Sequence, residues 1–170
     1  MISTNSKGLV LSLYVTTRGF AYVLFEGPTS PIDWGVREIT GPDKNTQCSE
    51  SIIKLIETHN PDAVVLEDCR APSSRRSRRV YDLYRAVEAW TANRGIDTYH
   101  YSRDLIRQTF GKLGAATKDE IAEVIGKHIP AFEHRRPPAR KIWMSEDARM
   151  GLFDATALVL TFFHLGVPDP

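Results

Sequence analysis

Cysteine is scarce in this chain of 170 residues. There are two, Cys48 and Cys69. Two residues so far apart exclude a disulfide framework and a CxxC zinc or redox motif, and they suit a reducing compartment. Long apolar runs are also missing. None approaches the roughly 18 residues of a membrane-spanning helix. Residues 1–8 are polar with a single lysine, and Ser12 interrupts the apolar run 9–15, unlike a secretory leader. These absences lead us to expect a cytoplasmic protein without a membrane partner. Excess charge is lacking too: the net value is +1. Any affinity for nucleic acid must therefore come from uneven placement of charge. The histidines, at 59, 100, 128, 134 and 164, have no metal-ligand spacing. Finally, no acidic residue precedes Glu26.

What is present suits one α/β domain over residues 1–170, with 42% hydrophobic residues to fill its core. Residues 9–15, 20–26 and 34–39 read as three strands separated by turns, an antiparallel meander. Helical spacing of Ile52, Ile53, Leu55 and Ile56 predicts a helix over 46–59, stopped by Asn60-Pro61. The unbroken run 63–66 predicts a central parallel strand, with Glu67 at its exit. A helix carrying Val80, Leu83, Tyr84, Val87 and Trp90 follows, closing near Gly95. That apolar face serves the core or a dimer. A strand is expected at 98–101 and helices at 102–110 and 117–128, with Thr117 and Glu120 spaced as a capping box. Residues 129–145 read as a long loop. Ser145 is expected to cap a last helix over 146–164. The order predicts a mixed five-stranded sheet, three antiparallel strands and then parallel ones, flanked by helices.

Chemistry is expected where parallel strands end. Glu67 stands there, either as a metal-binding carboxylate or as the polar residue of a strand exit. Asp154 precedes the apolar stretch 155–162, so a buried charge at that point needs a partner. Asp147, two helical turns earlier, would share its face. Asp147 and Glu146 would equally suit an acidic first helical turn. The segment holding Arg70, Arg75, Arg76, Arg78 and Arg79 has few local acids, which favours phosphate contact over a merely solvated face, with Tyr81 and Tyr84 placed to stack on bases or to support the helix. Arg135, Arg136, Arg140 and Lys141, with Trp143 behind them, form a second basic patch on the approach to Asp147.

Four stretches carry a resemblance: VLSLYVTTRGFAYVLFEG, PDAVVLEDC, SRDLIRQTFGKLGAATKDEIAEVIGKHIP and EDARMGLFDATALVLTFFH. In this order and at these separations they resemble the RuvC branch of the RNase H-like superfamily. The resemblance implies an RNase H-like fold and a homodimer that cuts branched DNA such as Holliday junctions. It also implies carboxylates holding Mg2+ or Mn2+. Its carboxylate after the fourth strand falls on Glu67 and its last aspartate on Asp154. The position three residues before that aspartate falls on Gly151, with Asp147 as a substitute ligand one turn back. Its basic residue near the scissile phosphate falls on Lys118, which otherwise reads as an exposed lysine of a first helical turn. Its first-strand aspartate, the bridge between metals, falls on Tyr14. A neutral phenol is a poor ligand for magnesium, and two cations ~4 Å apart need an anion between them. Three readings follow: a metal-dependent endonuclease, a binder of DNA or RNA that does not cut and holds one metal or none, and a protein-interaction scaffold that keeps only the fold.

Overall fold

The computed structural model describes residues 8–72, 74–138, 141 and 143–165. Three strands open the chain: β1 (Val10–Thr16), β2 (Gly19–Phe25) and β3 (Pro31–Glu38). They form the expected meander, β1 antiparallel to β2 and β2 to β3. Gly19 opens β2 because a Cβ there would lie 1.9 Å from the Arg37 carbonyl oxygen of β3. Helix α1 (Lys44–His59) ends at Asn60, whose left-handed backbone (φ 47°) returns its N–H to the Ile56 carbonyl. Strand β4 (Ala63–Glu67) then pairs parallel with β1, and β5 (Asp97–Tyr101) pairs parallel with β4. The sheet order is β3-β2-β1-β4-β5. Helix α2 (Arg78–Asn93) joins β4 to β5. Helices α3 (Arg103–Gly111), α4 (Lys118–His128) and α5 (Met150–Leu165) complete the fold.

Strand β1 is central and apolar on both faces, so alternate residues serve two cores. Val10, with Ala63 and Val65 of β4, faces α5, and so do Ala21, Val23 and Phe25 of β2. Leu11, Leu13 and Val15 face α1 and α2, against Ile52, Ile56, Val80, Leu83 and Val87. The apolar face of α2 is thus spent on this second core. Ser12 is fully buried on the α5 side and donates to the Ala155 carbonyl at 2.7 Å, which ties β1 to the middle of α5.

Two local expectations are corrected. The last helix starts at Met150, not at 146, and Ser145 does not cap it. Asp147 Oδ1 instead accepts from the Arg149 N–H at 2.9 Å, and the Met150 N–H bonds the Asp147 carbonyl. The chain therefore turns at 147–149 before it winds, because an aspartate side chain competes for backbone donors. The stretch 129–145 is not simply an exposed loop. A 3-10 turn at Pro130–Phe132 drives Phe132, fully buried, against Phe25, Trp34 and Phe153.

Candidate functional site

The β1–β4 ladder ends at Ser12–Val65. Two residues further along the two strands stand Tyr14 and Glu67, so both side chains emerge at the carboxyl ends of β1 and β4. Beyond the ladder, Val15 has no strand partner on this side. Side chains from the arginine segment and α2 replace it. The Val15 N–H donates to the Tyr84 hydroxyl at 2.8 Å, and the Val15 carbonyl accepts from Arg76 Nη2. Arg79 Nη2 donates to the Thr16 carbonyl and Nη1 to Asn45 Oδ1, both at 3.1 Å. Arg76 and Arg79 thus complete the edge of the sheet, where the sequence suggested phosphate contacts. Tyr84 is buried beneath Glu67 and is not placed to stack on bases.

Glu67 is 8% exposed. Its Oε2 lies 3.3 Å from Arg76 Nε and 3.5 Å from the Tyr84 hydroxyl. Arg76 Nε nevertheless makes no directed hydrogen bond, so this pairing is mainly coulombic. Burial pushes the Glu67 carboxyl up, against the pull of Arg76, Lys118 and Arg103.

The opposite wall is built by α4. Thr117 caps it, accepting from the Glu120 N–H at 3.2 Å, while Glu120 returns a bond to the Ala116 N–H rather than to Thr117 itself. Lys118 consequently opens the helix and reaches inward. Its Nζ lies 2.9 Å from Glu146 Oε1 and 3.3 Å from Asp154 Oδ2. Burial drives Asp154 up to about 6 although Lys118 pulls it down. Burial outweighs the pull of Lys118 and Arg103.

Tyr14 lies between the two cations. Arg76 Cζ is 5.0 Å from its ring centroid and Lys118 Nζ 5.4 Å, with Lys118 also 3.5 Å from the hydroxyl. Burial and the Asp154 charge raise the phenol to about 12, so it is neutral near pH 7.

Asp147 takes no part in this cluster. The shift of the helix start removes it from the face of Asp154. It pairs instead with Arg149, 2.6 Å from Nη2, which holds it down at about 2. Glu146, which the sequence offers only as an acid of a first helical turn, is the residue that reaches Lys118. Gly151 lies against the sheet: a Cβ there would meet Thr16 Cγ2 at 3.0 Å and Ala21 Cβ at 3.1 Å. Among the described residues, no three Asp, Glu, His or Cys side chains group as a metal-binding set.

A cleft of about 830 Å3 opens above this floor. Its acids are mostly occupied: Glu67 by Arg76, Asp68 by Arg70, Glu146 by Lys118 and Asp147 by Arg149. Four exposed arginines on its lining, Arg18, Arg75, Arg103 and Arg107, have no ion pair among the described residues, and Asp104 is the one lining acid in the same state. Thr16 Oγ1 and Arg76 Nε, also on the lining, are buried without a hydrogen-bond partner among the described residues.

Arg18, Arg103 and Arg107 were not singled out from sequence. The signal was present for two of them: Ser102 caps α3 just after a strand end, and arginines four apart share one helix face. Of the sequence candidates, Arg75 lines the cleft, Arg70 pairs with Asp68, and Arg78 pairs with Asp82 at 3.0 Å on α2. Arg135, Arg136 and Lys141 of the second basic patch do not line the cleft. Arg135 lies over Trp34 of β3, and Arg136 reaches Glu123 of α4, because the Phe132 anchor holds that segment near the other sheet edge. Lys141 lies over the Trp143 ring. Arg140 is outside the described residues.

Comparison with solved structures defines the fold class as that of the RuvC resolvases, an RNase H-like fold. Thermus thermophilus RuvC is similar over 92% of this chain and 95% of its own, at 18% identity and a TM-score of 0.65. The same enzyme in complex with a Holliday junction substrate is similar over 92% and 94%, at 16% identity and 0.66. The fowlpox virus Holliday junction resolvase is similar over 92% and 98%, at 14% identity and 0.59. No family model and no curated protein sequence matches the chain.

Proposed function

We propose that this protein binds branched or double-stranded DNA across the cleft and does not cut it by two-metal chemistry. The observation that carries the reading is the set of four exposed arginines around the cleft that form no ion pair among the described residues. Exposed guanidinium groups on one concave surface offer charged donors to solvent although the chain is nearly neutral, and phosphates supply the matching charge. A solved structure of similar fold holds a Holliday junction, which favours branched DNA as the form to test first.

The donor set does not fit a pair of divalent cations. Magnesium prefers oxygen ligands, bound through carboxylates and phosphates. Here Glu67 and Asp154 already face cationic side chains, Asp147 is held by Arg149, and a neutral phenol stands where a bridging carboxylate would be needed. Hence the reading as a binder is preferred to the reading as a nuclease.

Fluorescence anisotropy with a labelled four-way junction, in EDTA, tests the binding. We expect saturable binding in low salt, weakened by Arg75→Ala and Arg103→Ala, and intact DNA after incubation with Mg2+ or Mn2+. Absence of binding at low salt rejects the DNA reading. Efficient cutting that Glu67→Ala abolishes rejects the non-cutting one.

A further inference from the structure

We infer that Arg76 and Lys118 act as resident cations of this site, standing beside Glu67 and Asp154 where divalent ions would otherwise supply the positive charge. This inference extends the non-cutting reading above. It has a consequence that reading lacks: replacing Tyr14 by aspartate does not by itself create a metal site.

The argument begins with charge. Three carboxylates, Glu67, Glu146 and Asp154, point toward the floor of the cleft. Arg76 lies 3.3 Å from the first, and Lys118 lies 2.9 Å and 3.3 Å from the other two. Arg103 exerts a further attraction on both Glu67 and Asp154. Buried carboxylates without counter-charge are costly, so some cation must be present, and the chain provides it.

Geometry makes the provision firm. Arg76 is fixed by its bond to the Val15 carbonyl as well as by Glu67, and Lys118 is fixed by its place as the first residue of α4. The Tyr14 ring fills the space between the two cations. An aspartate at 14 would sit between an arginine and a lysine and pair with them. A divalent ion arriving at Glu67 or Asp154 would meet a fixed positive charge at close range. Removing one such charge ~4 Å away strengthens divalent binding by about thirtyfold even at the dielectric constant of bulk water.

The test measures Mn2+ alone, without DNA, by calorimetry and by electron paramagnetic resonance of the free ion. Four full-length proteins are compared: the unaltered chain, Tyr14→Asp, Tyr14→Asp/Lys118→Gln, and Tyr14→Asp/Lys118→Gln/Arg76→Gln. Circular dichroism establishes folding, and glutamine at 76 retains a donor for the Val15 carbonyl. We expect weak Mn2+ binding in the first two, and tightening at each removal of a cation. Mn2+ binding by Tyr14→Asp as tight as in the triple variant overturns the inference. So does tight binding by the unaltered chain that Glu67→Gln removes. If the triple variant does not fold, the double variant supplies the comparison, and Mn2+ binding by Tyr14→Asp as tight as by Tyr14→Asp/Lys118→Gln overturns the inference. DNA binding is scored separately, and its loss would reject the functional reading without touching this one.

Discussion

Arg76 lies across the ring of Tyr14, its guanidinium carbon 5.0 Å from the ring centroid, and the same side chain bonds the carbonyl of Val15 one residue further along the strand. A side chain that looks from sequence like a phosphate ligand thus belongs to the sheet. The cationic face toward solvent is left to other arginines.

Arg103 and Arg107 share one face of α3 at the cleft. If both contact phosphates, each contributes about 0.9 to the slope of log K against log salt. The Arg103→Ala/Arg107→Ala variant should therefore show a slope shallower by roughly 2 in a salt titration of junction binding. An unchanged slope would remove α3 from the interface.

Asp154 should couple stability to pH. Its carboxyl titrates at about 6 in the folded protein, against ~3.9 in an unfolded chain. Between those values the folded state binds more protons, so stability falls as pH rises through the window. Urea midpoints should decline from about pH 4 to about pH 6. The Asp154→Asn profile should be flatter there. Superimposable profiles would place the titration elsewhere.

Phe132 should be a principal anchor of the segment between α4 and α5. It is fully buried and touches three aromatic rings. Phe132→Ala should cost ~3–5 kcal/mol, read as a loss of urea midpoint or melting temperature. A loss below ~1 kcal/mol would show that the cavity collapses freely.

Gly151→Asp tests the helix–sheet spacing. Any Cβ there approaches Thr16 and Ala21 to 3.0–3.1 Å. The variant should lose ~1–3 kcal/mol through overpacking, measured by thermal melting. Unaltered stability would mean that α5 can lift without cost.

Much of this arrangement was legible in the sequence. The strands and helices followed from runs of apolar residues with clear periods, and Asn60-Pro61 and Thr117 marked helix ends through local chemistry that needs no tertiary partner. Glu67 and Asp154 were visible because a charge bordering an apolar stretch demands compensation. The identities of the compensating groups were not visible. Arg76 and Lys118 come from segments 42 residues apart, and only the folded sheet brings them to the same tyrosine. Sheet order was hidden for the same reason. The start of α5 was misjudged because Ser145 and the following acids make a convincing cap on paper, whereas Asp147 spends its side chain on the Arg149 N–H.

The tight seat of Gly151 bears on what can be rebuilt. Side chains at 14, 76 and 118 can be exchanged while the backbone stays where it is. Position 151 differs, since the main chain itself has settled onto β1 and β2, and a ligand placed there would have to push α5 outward. Sequence routes toward a complete metal site therefore cross less stable intermediates, whereas exchanges among the exposed arginines do not. The fold acts as a ratchet: exchange of the arginines that line the cleft is open to it, and construction of a centre with a carboxylate at 151 is obstructed by its own packing.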